Sequence, residues 1–362
     1  MFPGNCGRTP KGVRLANSPM PRRTLLLMVC ASLLLLCGAP ARPPEQGEPM
    51  MGPVPVFELH SGFWVNLHHF LYRQAREQRD PAASKAAHEP LPGLTEAERQ
   101  TWEEAVNYYA ANYADRDLLF NSELIALKNQ LGDFEDCKEL AGTSRKECNA
   151  GLPGKLTPIL DGAAPIYRAH WWPEHDRANR AWVAAVAPLI RQKGLGLAER
   201  LADIYESRWP KEKIRVEITT YASWAGAYTT LDPLRVTISS TDPANQGDAA
   251  LEMVFHEASH GLAGTVQAAI VRECRQRNKA IPRDLWHALL FYTTGEVIKA
   301  AMRERNGAAT KPGQAYVPYA IREGLYSRRW ARYLELLERY WQPYLDGRTT
   351  LDDAIARMVS AM

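Results

Sequence analysis

The stretch Asp248-Ala-Ala-Leu-Glu-Met-Val-Phe-His256-Glu257-Ala-Ser-His260-Gly261 decides how this chain is read. Leu251, Val254, Phe255, Ala258 and Leu262 recur at the three-to-four spacing of a buried helical face. Asp248 is placed to cap the start of that helix and Gly261 to stop it. Residues four apart on a helix stand one above the other, so both imidazoles can reach one metal ion about 2.0–2.1 Å from each nitrogen. Glu257 lies roughly 100° round the helix from His256, badly placed as a ligand and well placed as a base toward a metal-bound water.

Upstream, Ile214-Arg-Val-Glu-Ile218 and Leu234-Arg-Val-Thr-Ile238 alternate apolar and polar residues, which predicts two half-buried strands. A further strand is expected within 221–231, with Asp232-Pro233 as a turn. Downstream, an apolar helical stretch, Trp286-His-Ala-Leu-Leu-Phe-Tyr-Thr-Thr-Gly-Glu296-Val-Ile-Lys299, starts near Asp284. The expected class is α+β, predominantly helical, with a small antiparallel sheet and two metal-bearing helices.

The order sheet, then pentad helix, resembles the zincin metallopeptidases over about residues 211–330. In that family an edge strand pairs with extended substrate, the logic of strand addition. The metzincin extension is excluded, because Ala263 and Val266 stand where that pattern needs Gly and His. A glutamate on a second helix downstream resembles the gluzincin set of two His and one Glu. This resemblance implies His256, His260 and Glu296 as zinc ligands and Glu257 as general base. Gly295 precedes Glu296 where many gluzincins carry Asn before that Glu.

Two rivals stand for the third ligand. Asp284 and His287 lie one turn apart, so the carboxylate is placed to orient the imidazole. His287 and Glu296 are nine residues apart and face opposite sides of an unbroken helix. Both can meet one ion only if Thr293-Thr294-Gly295 breaks it. Glu296 is preferred for its apolar flank, leaving His287 as a proton donor or a hydrogen-bonded core residue. For the oxyanion of a tetrahedral intermediate, Gln314-Ala-Tyr316-Val-Pro-Tyr319-Ala-Ile-Arg322 offers Tyr316, Tyr319 and Arg322, and Tyr319 is the choice.

The remaining sequence bounds the reading. Arg22-Arg23, the apolar run Leu25–Ala39 and Ala39-Pro40-Ala41 have the three regions of a secretory signal, cleaved near Ala41. Fifteen apolar residues fall short of the roughly 20 needed to span a membrane. Export, periplasmic or secreted, is expected; Met20 offers a start giving a more ordinary signal length, and Leu36 argues against a lipoprotein at Cys37. Loss of 1–41 removes five of 44 basic residues and none of 41 acidic ones, leaving a net charge of −2. Nothing then favours nucleic acid or an anionic membrane as partner. Cys137 and Cys148 can close a short disulfide loop worth about 3 kcal/mol, and Cys274 stays unpaired.

A proline-rich tether over 42–56 leads to a helical region, 57–210, ahead of the zincin-like region 211–362. In His60–Tyr72, Phe63, Leu67, Phe70 and Leu71 have core-helix spacing, so His68-His69 reads as packing rather than as a chelate. Thr-Glu-Ala-Glu98 from Thr95 forms a capping box for a helix through about Tyr113. Helices follow at about 115–132, 176–192 and 194–208, and His170-Trp-Trp-Pro-Glu-His175 reads as a helix entry.

The function expected is an exported zinc metallopeptidase that hydrolyses peptide bonds through a zinc-bound water, with a peptide or protein as substrate. Two alternatives stay open. One is a non-catalytic scaffold with a structural zinc, closed by His287 or Asp284, or an accidental pentad; the other is a zinc hydrolase of a non-peptide bond.

Overall fold

The computed structural model describes residues 56–80, 93–140, 151–306 and 315–362. The expected signal segment 1–41, all but the last residue of the tether and Cys148 lie outside the described residues. Cys137 is disulfide-bonded and Cys274 is a buried free thiol. Among the described residues no helix is long and apolar enough to cross a membrane.

The described residues form one compact unit. The chain enters through β1 (Phe57–His60) and the helices α1 (Phe63–Arg79), α2 (Glu96–Asn112), α3 (Ser122–Asp133), α4 (Leu156–His170) and α5 (Trp172–Ile204). It then forms β2 (Ile214–Thr219), β3 (Ala227–Leu231) and β4 (Leu234–Ser239). Helices α6 (Asp248–Ser259), α7 (Gly264–Gln276) and α8 (Leu285–Asn306) follow the sheet. Short α9 (Tyr319–Arg322), α10 (Ala331–Leu336), α11 (Gln342–Leu345) and the longer α12 (Leu351–Ala361) close the chain.

The protein is predominantly helical, as expected, but its sheet is mixed rather than antiparallel. Strand order is β1-β2-β4-β3; β1 pairs parallel with β2, β2 parallel with β4, and only β3 with β4 antiparallel. The cause is the hairpin at Asp232-Pro233, which folds β4 back between β3 and β2 and leaves β3 at the edge. Strand β1 was not foreseen, because four residues ahead of an aromatic helix are too short to show a period of two.

The alternating strands are buried on both faces, not half-buried. Val216, Ile218, Val236, Ile238 and Ala227 join the core formed with α5, α6 and α8. The opposite face carries Glu217, Thr219, Thr237 and Thr230, all buried beneath α1 and α3. His68 and His69 belong to this second layer: their Nδ1 atoms meet the Tyr109 hydroxyl and the Val65 carbonyl at 2.9 and 2.8 Å, and His69 Nε2 meets the Tyr228 hydroxyl at 2.9 Å.

The capping box at Thr95 forms with both bonds present. The two helices expected at 176–192 and 194–208 are one, α5. Val186, Ile190, Gly194, Leu197, Leu201 and Ile204 make one unbroken buried stripe, and that packing outweighs the helix cost of Gly194 and Gly196.

Asn66 joins the two layers. Strand β1 stops opposite Glu217, and the Asn66 side-chain amide takes over the ladder by donating to the Ile218 carbonyl at 3.0 Å. Its Oδ1 accepts from the Thr220 N–H at 3.3 Å and from Asn179 at 3.1 Å. Asn66→Leu strands these buried backbone groups and is expected to lower the unfolding free energy by roughly 2–4 kcal/mol in urea titration. An unchanged midpoint would show that Asn66 does not carry the layer contact.

Candidate metal centre

Helix α6 starts at Asp248 after Gly247, whose φ of 56° suits glycine and no capping side chain. The cap is therefore Gly247, not Asp248. From Ala249 to Ser259 every residue is buried, because β3 and β4, α5 and α8 all pack against this helix. Just past its end, a side chain at Gly261 would meet the tip of Leu234 of β4 at 2.8 Å, so the glycine eases this close approach.

Helix α8 runs unbroken through Thr293-Thr294-Gly295. Here too glycine serves an approach rather than a break: a Cβ at Gly295 would lie 2.7 Å from Pro318 and 3.2 Å from the Glu252 carboxylate. An unbroken helix sends His287 and Glu296 to opposite sides. His287 turns to the pentad: its Nε2 lies 3.3 Å from His256 Nε2, and one nitrogen from each of His256, His260 and His287 lies within 4.8 Å of the others.

These three histidines are close enough to bind a metal ion. Two nitrogens each about 2.0–2.1 Å from a tetrahedral ion stand about 3.3–3.4 Å apart. The His256–His287 separation meets that value.

Glu296 is not part of the cluster. Its carboxylate oxygens accept from Lys299 Nζ at 2.7 and 3.0 Å. It faces a cavity of ≈ 530 Å³ with Tyr292 and Tyr316. Of the expected set His256, His260 and Glu296, the structure brings the two histidines together and leaves Glu296 apart, with His287 as the third member of the cluster. Asp284 does not orient His287 either; it pairs with Arg329 at 3.1 Å.

Aromatic rings wall the cluster. Phe291 stacks on His256 with centroids 3.6 Å apart, Trp286 stacks on His287 at 5.0 Å, and Trp330 meets His287 edge-on. Burial and the neighbouring imidazoles disfavour protonation: His256 is held well below the ordinary histidine range, His260 at about 3 and His287, by burial first, at about 4. At neutral pH all three are uncharged, the form that donates a lone pair to a metal.

Glu257 is buried beside them, its Oε2 3.7 Å from His260 Nε2. Burial raises its carboxyl to about 7, partly opposed by the Thr229 hydroxyl, which lies 2.7 Å from Oε2. Glu252, one turn before His256, is fully buried; it accepts from the Tyr316 hydroxyl at 2.5 Å and from the Tyr319 N–H at 2.9 Å. That anchors the segment entering α9 against α6.

Of the three oxyanion candidates, Tyr316 is engaged by Glu252 and Arg322 reaches the Ala244 carbonyl. Tyr319 stacks on Phe291, the ring that itself stacks on His256, which places it beside the cluster. Sequence reasoning missed Thr229, Glu252, Phe291 and Trp330. For Glu252 a signal existed, an acidic residue four before His256 on a helix read as buried on most sides.

No protein-family model, curated protein or solved structure matches this chain.

His287→Ala is expected to weaken metal binding by more than the ten- to hundred-fold typical of losing an outer-shell partner, read by titration calorimetry of the metal-free protein with Zn²⁺. Glu296→Gln should bind as the parent does. The reverse ranking would restore Glu296 as the ligand.

Proposed function

We propose that this chain is an exported zinc-dependent peptidase of zincin type, with His256, His260 and His287 holding zinc and Glu257 as general base. The observation that carries this reading is the convergence of three imidazoles, with one nitrogen of each within 4.8 Å of the others and the His256–His287 pair at 3.3 Å, beside the buried Glu257 carboxylate of α6. The ligand set is three histidines rather than the two His and one Glu of the gluzincins. Zinc, when bound, lowers the pKa of a water toward about 7 and polarises a carbonyl oxygen.

The chain's own groups supply the rest. Glu257 takes a proton from the attacking water and returns it to the leaving amine, and its burial favours accepting that proton. The Tyr319 hydroxyl is assigned to the developing oxyanion. Trp286, Phe291 and Trp330 exclude water and so strengthen every charge interaction in the site. Strand β3, at the sheet edge and bonded to α6 through Thr229, offers main-chain groups to an extended peptide. That edge supports a peptide or protein as the substrate.

A structural zinc needs a fourth protein ligand. Among the described residues the cluster numbers three, and Asp284 is held by Arg329. This favours the catalytic reading over a closed structural site.

Glu257→Gln should keep stoichiometric zinc by elemental analysis while hydrolysis of fluorescein-labelled casein falls about 10²–10⁴-fold. Equal cleavage by Glu257→Gln and the parent would sink the mechanism, and a parent protein that purifies without zinc and gains none on dialysis would sink the metal reading.

A further inference from the structure

Thr229, on the edge strand, lies against the base of the proposed reaction. Its Oγ1 is 2.7 Å from Glu257 Oε2 and 2.7 Å from the main-chain carbonyl oxygen of the same residue. We propose that Thr229 is a positioning residue for Glu257, holding the carboxylate in one place throughout the reaction. The proposal rests on the zinc-peptidase reading above.

The chemistry follows from what a hydroxyl can do. It carries one proton and two lone pairs, so it donates once and accepts as well. When Glu257 is ionised, the Thr229 hydroxyl donates to Oε2. When Glu257 has taken a proton on its other carboxylate oxygen, Oε2 still accepts from the same hydroxyl, and the proton stays free to return to the leaving amine. The hydroxyl's own proton stays on Thr229 in both states. A base that gains and loses a proton in each turnover thus keeps a satisfied partner in both states, inside a site where an unmet polar group is costly.

The Glu257 carbonyl is available because α6 tightens at its end. His260 N–H reaches it at 3.2 Å, while Gly261 N–H turns to Ala258 at 3.1 Å instead of closing the regular bond to Glu257. Thr229 fills the place so vacated.

The strand register adds a link to substrate. Ser239 N–H donates to the Gly226 carbonyl at 2.8 Å, so 226 and 239 form a hydrogen-bonded pair of the antiparallel ladder. Alternation makes 228 and 230 the next such residues, and turns the N–H and C=O of Ala227, Thr229 and Leu231 away from β4 toward the sheet edge. One residue therefore presents its main chain to the edge where a peptide would pair and its hydroxyl to the group that activates the attacking water.

The test compares Thr229→Val, which keeps the branched shape and removes the hydroxyl, with Thr229→Ser, which keeps the hydroxyl. With labelled casein, Thr229→Val should lose kcat roughly ten- to hundred-fold with KM, zinc content and Tm close to the parent, and Thr229→Ser should restore most of it. Crystal structures of the metal-free variants give a reading independent of turnover: the Glu257 carboxylate keeps its place in parent and Thr229→Ser and leaves it in Thr229→Val. If Thr229→Val keeps both kcat and that carboxylate position, the proposal is overturned. It is equally overturned if Thr229→Val loses Tm, zinc and kcat together and Thr229→Ser does not restore them, since Thr229 then only caps a helix. Activity surviving in Glu257→Gln would instead overturn the peptidase reading, and the carboxylate position would still decide the role of Thr229.

Discussion

The structure turns on the complete burial of α6. A helix with every residue from Ala249 to Ser259 out of water must find an internal partner for each polar group, since an unmet one costs more than a hydrogen bond returns. Its polar residues meet that demand in different directions. Glu252 takes the Tyr316 hydroxyl and the Tyr319 N–H, Glu257 takes Thr229, and the Ser259 hydroxyl bonds back to the Phe255 carbonyl. His256 is the exception: its Nε2 turns to His287 while its buried Nδ1 has no hydrogen-bond partner. Most of these partners come from separate elements, so satisfying one helix aligns the edge strand, α8 and the entry to α9.

This explains the placing of two glycines far apart in sequence. Gly261 lets β4 come close through Leu234, and Gly295 lets Pro318 and Glu252 come close to α8. Without the second approach the Tyr319 N–H could not reach Glu252, and the ring of Tyr319 would not lie on Phe291. The aromatic wall and the carboxylate anchor are thus two consequences of one packing arrangement.

What could be read from the sequence was whatever local periodicity expresses. The pentad helix, β2, β4 and the Thr95 capping box stand where their patterns put them. The sheet's parallel pairings were illegible, because β1 lies more than 150 residues upstream of β2 and is too short to show a pattern, and β2 pairs with β4 past the intervening β3. The third ligand was legible only in part. Nine-residue spacing shows that His287 and Glu296 exclude one another, but not which of them faces α6. Helix α8 is buried all round through the run Ala288, Leu289, Leu290, Phe291, Tyr292, Thr293 and Thr294, so an apolar flank identifies no face. Lys299, one turn beyond Glu296, was the usable clue, since a carboxylate with a cation at that spacing has a partner already.

Exchanging a carboxylate for an imidazole alters the electrostatics of the proposed site. Three uncharged histidines bring no negative charge to a divalent ion, whereas two His and one Glu bring one. The carboxylate beside the cluster is Glu257, and a cation next to it favours its ionised form, opposing the burial that raises it. A three-histidine set therefore places on Glu257 two demands at once, to balance the ion and to accept a proton. A carboxylate under both demands would swing toward the ion unless something held it back, and the Thr229 hydroxyl, 2.7 Å from its Oε2 on the side of the edge strand, is placed to hold it.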